Sequence, residues 1–278
     1  MPHEQIVALL QWYADMGVDV AVGDEPVDRF AESAQAVFSP SPARSAPEPE
    51  PARRAPAATA QPRMASPAPT MLTTSPDAVE LAAREQARSA RTLDELRDLL
   101  ERFDGCALKA TASRLVFADG AADAKVMFVG EAPGRDEDIQ GKPFVGRSGQ
   151  LLDRMLTAIG LDRTKAYIAN VVPWRPPGNR DPTPQETTIC RPFIERQIEL
   201  VAPKVLVCLG ARSAQALLGV TDGILKLRGR WLDHELSGQR IRAIATLHPA
   251  YLLRQPVQKR LAWRDFRAIR TALEQDAS

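Results

Sequence analysis

Lys125–Leu156 reads KVMFVGEAPGRDEDIQGKPFVGRSGQLLDRML, and its order of chemistry points to the fold class. Lys125–Gly130 is a short apolar run rich in β-formers, which suits a buried strand. It breaks into Gly130-Glu131-Ala132-Pro133-Gly134, a turn whose glycines let backbone approach a ligand closely. Glu131, Asp136, Glu137 and Asp138 place carboxylates beside that turn, which disfavours an ordinary phosphate cradle. Phe144 follows in a Gly-rich loop, where its face could stack on a flat ring, and a helix is expected over Gly149–Ile159.

The same alternation continues downstream. Tyr167–Val172, Lys204–Leu209 and Ile241–Leu247 are further strand candidates. Pro184–Val201, Ala211–Leu218 and Arg260–Gln275 are helix candidates. Thr183 precedes Pro184 and Glu186, which together read as an N-cap, a first-turn proline and a capping box. Strands alternating with helices imply an α/β fold: a three-layer α/β/α sandwich around a mostly parallel, four-stranded central sheet. Ligands of such sheets bind outside the carboxyl ends of the strands. Three segments should therefore converge there: Gly130–Gly134, Asn170 with Pro173–Arg180, and Leu247–Tyr251 around His248.

Two of these residues stand out chemically. Asn170 lies in an apolar strand, and a buried amide needs partners. It offers a donor and an acceptor, which suits either a pyrimidine edge or loop backbone. His248 follows a strand and precedes proline at the expected ligand edge, whereas His3 and His234 sit in polar surroundings.

The chain has 278 residues, 44% hydrophobic and 26% charged, values ordinary for a globular protein. No apolar run approaches a membrane span, and the N-terminus lacks the layout of a secretory signal. Three cysteines argue against a disulfide scaffold and for a reducing compartment, so we expect a cytoplasmic protein, and we take it as a monomer. The net charge of +1 hides a split: residues 1–102 hold 10 Lys/Arg against 16 Asp/Glu, and residues 103–278 hold 26 against 19. A basic C-terminal part suits a polyanion, although a solvated surface would also explain it.

Four regions are expected. Residues 1–30 carry a short amphipathic helix and could meet a protein partner. Residues 31–76 form a Pro/Ala-rich linker, since ten of the 23 prolines fall within 39–78. A polar leading helix covers 77–102, and 103–278 is the main domain.

GEAPG-x3-D with GKPFVGRSGQLLD, then NVVPWRPPGNRDPTPQE, then HPAYLLR, resembles the motif set of family 4 uracil-DNA glycosylases over residues 103–270. The resemblance implies hydrolysis of the N-glycosidic bond of deoxyuridine in DNA, with the nucleotide flipped from the stack. It implies that Phe144 stacks on uracil, Asn170 reads its edge and His248 stabilises the departing anion. Glu131 and the turn backbone, including Ala132, would line the water and sugar side, with Glu137 and Asp138 as secondary pocket residues. Leu252 would be a wedge pushed into the duplex, Arg254 a phosphate contact and Asn179 a further DNA contact, in a nucleoid-associated enzyme. Ala132 stands where the family 1 enzymes carry a catalytic Asp, so the water-activating group falls to Glu131 or, less favourably, Asn179. Hydrolysis of free nucleosides and damage binding without cleavage are the alternatives.

The resemblance also implies a four-iron cluster held by four cysteines. Here Cys106 and Cys190 match two ligand positions, while Phe103 and Trp174 occupy the other two. Two thiolates are too few for a cluster normally held by four. We therefore expect no metal, and an apolar plug of Phe103 and Trp174 near Cys106 and Cys190. Those thiols could lie close enough to pair, which a reducing compartment disfavours.

Overall fold

A computed structural model describes residues 76–275. The amphipathic segment at 4–16 and the Pro/Ala-rich linker lie outside the described residues. The chain proceeds through α1 (Pro76–Ser89), α2 (Leu93–Arg102), β1 (Ala118–Gly120), β2 (Val126–Gly130), α3 (Arg135–Gln140) and α4 (Arg147–Thr157). It continues with β3 (Ala166–Asn170), α5 (Pro184–Val201), β4 (Val205–Leu209), α6 (Ala211–Leu218) and α7 (Ile224–Leu227). The last elements are β5 (Trp231–Leu236), β6 (Gln239–Thr246), α8 (Pro249–Arg254) and α9 (Lys259–Gln275).

The sheet order is β1-β3-β2-β4-β6-β5. The four expected strands form its parallel centre, and β1 and β5 close the edges antiparallel to β3 and β6. The sheet thus has six strands rather than the four expected. β1 is only three residues long, and β5 alternates half-buried with exposed positions in a polar sequence, so neither produces an apolar run. A Ser237-Gly238 turn with positive φ at both residues joins β5 to β6.

Period-two alternation divides the core into layers. Met127 and Val129 of β2 face one apolar cluster with Leu96, Leu100, Phe193 and Ile198. Val126 and Phe128 face the other, with Leu152, Leu156, Phe266 and Ile269. Helices α1, α2, α5 and α6 cover the first face, and α4 and α9 the second, giving the α/β/α sandwich.

Residues 77–102 form two helices, not one. Thr92 accepts a hydrogen bond from the Glu95 backbone at 3.1 Å, and the Glu95 carboxylate accepts from the Arg91 backbone at 2.6 Å. That local capping restarts the helix at Leu93. The expected cap of α5 is present: Thr183 accepts from Glu186 N at 3.2 Å and Glu186 accepts from Thr183 N at 2.7 Å. No helix among the described residues is long and apolar enough to cross a membrane.

Candidate active site

Strand register brings the singled-out segments together. Gly130 pairs with Asn170, and Leu209 pairs with Thr246, two residues before His248. The carboxyl ends of β2, β3, β4 and β6 therefore rim one cavity of about 520 Å³. Glu131, Ala132, Glu137, Phe144, Asn170, Asn179, His248 and Arg254 all line it.

Phe144 is 4% exposed and held at φ 54°, a left-handed conformation uncommon for an aromatic residue. Two features impose it. Gly149 packs so tightly that a Cβ there would stand 1.8 Å from the Phe144 carbonyl oxygen. Arg163 donates to the carbonyls of Pro143, at 3.0 Å, and Phe144. Arg163 is anchored in turn by Asp119 at 2.7 Å and Asp153 at 2.8 Å. The Phe144 ring consequently lies 5.6 Å from the His248 ring, tilted by 35°.

Asn170 ends β3 and is 3% exposed, yet neither its Oδ1 nor its Nδ2 has a hydrogen-bond partner within the protein. Gly130 makes room for it, since a Cβ there would stand 2.4 Å from Oδ1 and 2.6 Å from the Phe144 ring. A buried amide left unpaired costs roughly 1–3 kcal/mol. The side chain is thus held ready for a ligand that presents a matching donor and acceptor.

His248 caps α8: its Nδ1 accepts from Ala250 N at 3.1 Å. The acceptor role of Nδ1 puts the imidazole proton on Nε2. Burial, with a smaller contribution from the Arg254 charge, pushes its pKa down to about 4. The ring is therefore neutral at physiological pH and offers Nε2–H as a donor. Gly210, at φ 96°, passes close beneath: a Cβ there would be 3.2 Å from the His248 Cβ.

The two glutamates of the turn divide the work. Glu137 is buried, and its carboxylate accepts from Gly134 N at 3.1 Å and from Val145 N and Gly146 N at 2.9 Å each. Those bonds tie the Gly130–Gly134 turn to the Phe144 loop, so Glu137 shapes the cavity with both oxygens already engaged. Asp138 faces away from it and accepts from Ser113 N at 2.8 Å and Arg114 N at 3.3 Å, which corrects its assignment to the pocket. Glu131 is half-buried between Asp181 and Arg212; desolvation first, then Asp181, raises its pKa, and Arg212 opposes the rise. Ala132 contributes no titratable group. Asn179 accepts from Arg175 Nε at 2.7 Å in the wall loop, and Arg180 braces that loop through Glu186 at 2.9 and 2.7 Å.

Leu252 requires a correction. It is fully buried and packs with Leu247 and Ala262, so it is not presented to a duplex. Its neighbour Leu253 is 38% exposed. Arg163, Gly210 and Arg212 were not singled out in the sequence. The partners of Arg163 lie 10 to 44 residues away, so no local pattern announces it.

The residues at the implied cluster position do not fit a four-thiolate group. Cys106 and Cys190 Sγ atoms stand 3.7 Å apart and are buried; Phe103 and Trp174 are buried in the same core cluster and bring no thiolate. The third thiol, Cys208, faces the core from β4, where burial pushes its pKa up to about 12. Among the described residues no group of three or more His, Cys, Asp or Glu side chains is placed to hold a metal ion.

Residues 117–267 match the family model of the uracil DNA glycosylase superfamily. The chain is 43% identical over 168 residues to the type-4 uracil-DNA glycosylase of Archaeoglobus fulgidus, covering 59% of this chain and 84% of that protein. It is 41% identical to the Thermotoga maritima type-4 enzyme, covering 59% and 86% respectively. With the Saccharolobus solfataricus type-4 enzyme the identity is 38% over 186 residues, covering 65% and 86%. The matched span, which encloses Phe144, Asn170 and His248, and the identity to the type-4 enzymes place this chain in the uracil DNA glycosylase superfamily.

Proposed function

We infer that this chain is a uracil-DNA glycosylase, which hydrolyses the N-glycosidic bond of deoxyuridine in DNA and so begins base-excision repair. The observation that carries this reading is Asn170, a buried amide without a protein partner, lining the same cavity as the Phe144 ring and His248. Uracil extruded from the helix stacks on Phe144 and gives Asn170 the N3–H and O4 edge that its acceptor and donor match. As the C1′–N1 bond breaks, its electron pair passes to the base, and His248 Nε2–H stabilises the charge at O2. A neutral donor is suited to this, because it stabilises a developing anion without first binding it as an ion pair. Water adds to C1′ from the opposite side, where Glu131 accepts its proton and offsets the positive sugar.

Arg254, which lines the cavity, holds a phosphate, Asn179 stiffens the wall loop through Arg175, and Leu253 is the apolar side chain that α8 offers to the duplex. The chain works without a cluster: Phe103 and Trp174 fill the volume as apolar packing. Anaerobic purification followed by iron and sulfide analysis checks this, and stoichiometric iron would overturn it. For the reaction itself, the test is release of uracil from a uracil-containing oligonucleotide, set against free deoxyuridine and against binding alone. We expect excision from DNA only. Asn170→Asp should lower the rate on uracil, because it removes the amide donor; a rate equal to the parent's would show that the base has been misplaced.

A further inference from the structure

A second and larger cleft, of about 790 Å³, lies beside the catalytic cavity. Its lining carries four cations, Arg97, Lys109, Arg114 and Lys142, against one acid, Glu101. Lys109 is engaged by Asp104 at 2.7 Å. The pairs of Arg97 with Asp94 and of Lys142 with Asp119 are loose, at 3.8 Å each, and Arg97 and Lys142 keep 47% and 61% of their side chains exposed. Arg114 makes no ion pair among the described residues. The guanidinium of Arg97 lies 5.1 Å over the ring of Phe117, a cation–π contact that helps fix its position. This is the donor set of a phosphate-tracking groove, in which surface ion pairs worth little are readily exchanged.

The placement says whose phosphates. Helix α3 opens on the catalytic cavity with Gly134 and Glu137 and closes on the basic cleft with Gln140 and Gly141. Six helical residues span about 9 Å, and a duplex strand advances about 3.4 Å per nucleotide. Trp174 lines the cleft and Pro176 the cavity, only two residues apart. A strand whose nucleotide has been drawn into the cavity therefore reaches the cleft within about three nucleotides.

We propose that this cleft binds the backbone phosphates of the DNA strand flanking the extruded nucleotide, with Arg97, Arg114 and Lys142 as the contacting cations. The proposal rests on the glycosylase reading, but its test does not depend on catalysis. Affinity is measured by fluorescence anisotropy against salt, for the full chain and the variant Arg97→Gln/Arg114→Gln/Lys142→Gln. The probes are uracil oligonucleotides with one or with eight nucleotides on each side of the uracil. A charge-matched control, Arg264→Gln/Arg267→Gln/Arg270→Gln, alters α9 in the other helix layer.

On the long oligonucleotide the cleft variant should lose about two units from the slope of log affinity against log salt, at roughly 0.7–0.9 per phosphate released. On the short one it should bind like the parent, and its excision rate at saturation should be the parent's. An unchanged slope, an equal loss on both lengths, or an equal loss in the α9 control would each overturn the proposal. A parent that binds with the expected slope yet excises nothing would sink the glycosylase reading and leave the cleft standing.

Discussion

Two buried regions flank the same sheet and obey opposite rules. At the carboxyl edge, Asn170 is buried with both amide atoms unpartnered in the protein, and Phe144 is held in a left-handed backbone conformation. Behind the sheet, Phe103, Trp174, Cys106 and Cys190 are as deeply buried, but Phe103 lies 5.0 Å from the ring of Phe193 and each thiol meets the other. Burial alone therefore does not separate a site from a core. What separates them is whether the buried groups have satisfied one another. The first region stores strain and unmade bonds for a ligand, whereas the second spends its volume on packing.

Substitutions should then divide cleanly between stability and chemistry. The largest effect expected is on stability: Phe103→Ala should cost about 3–5 kcal/mol in denaturant unfolding, while the saturated excision rate per folded molecule stays that of the parent. A rate that fell in proportion would merge the two regions.

His248→Ala should lower turnover of uracil-DNA roughly 10²- to 10³-fold with DNA affinity retained, as read by single-turnover excision beside a binding assay. Its pH behaviour sharpens the contrast. The folded pKa is pushed down to about 4, whereas an unfolded histidine titrates near 6.5. The stability tied to His248 is thus complete above about pH 6.5 and is lost as the pH falls toward about 4. Thermal unfolding across that range should show a pH slope that His248→Ala flattens, and the parent's activity should have no histidine limb near pH 6.5.

Phe144→Ala should weaken the reaction by about 1–3 kcal/mol per folded molecule, the stacking of one base, and should also lower the melting temperature, because the ring is packed in the core against the sheet. The smallest effect is expected behind the sheet. Cys106→Ala/Cys190→Ala should cost about 1–2 kcal/mol of stability, on the scale of a few methylene-sized deletions, and leave excision unchanged. A collapse of activity in that double variant would mean that the thiols do more than pack.

The central strands were legible because strands buried on both faces read as near-continuous apolar runs, as in KVMFVG and KVLVCL. Their ends were legible too, since a parallel sheet sends its ligand to one edge. That edge is where Asn170 and His248 line the cavity. The failures have a common cause in distance along the chain. Leu252 was placed by counting four residues from His248, but its environment is set by Leu247 and Ala262. Asp138 follows the same rule: its backbone donors, Ser113 and Arg114, lie 25 and 24 residues away and hold it among them rather than in the cavity lining. Thr92 was the exception: its capping partner is three residues on, and the helix break could have been read from Thr92 and Glu95 alone.

The unpartnered amide of Asn170 has a consequence for how this protein can change over generations. An apolar side chain of similar size would remove an unmade bond from the core, so the resting protein is more fragile than its own scaffold allows. A library of variants screened only for survival on heating would enrich such replacements and drift away from repair while its members looked ever healthier. Keeping Asn170 therefore requires selection that sees the genome as well as the protein.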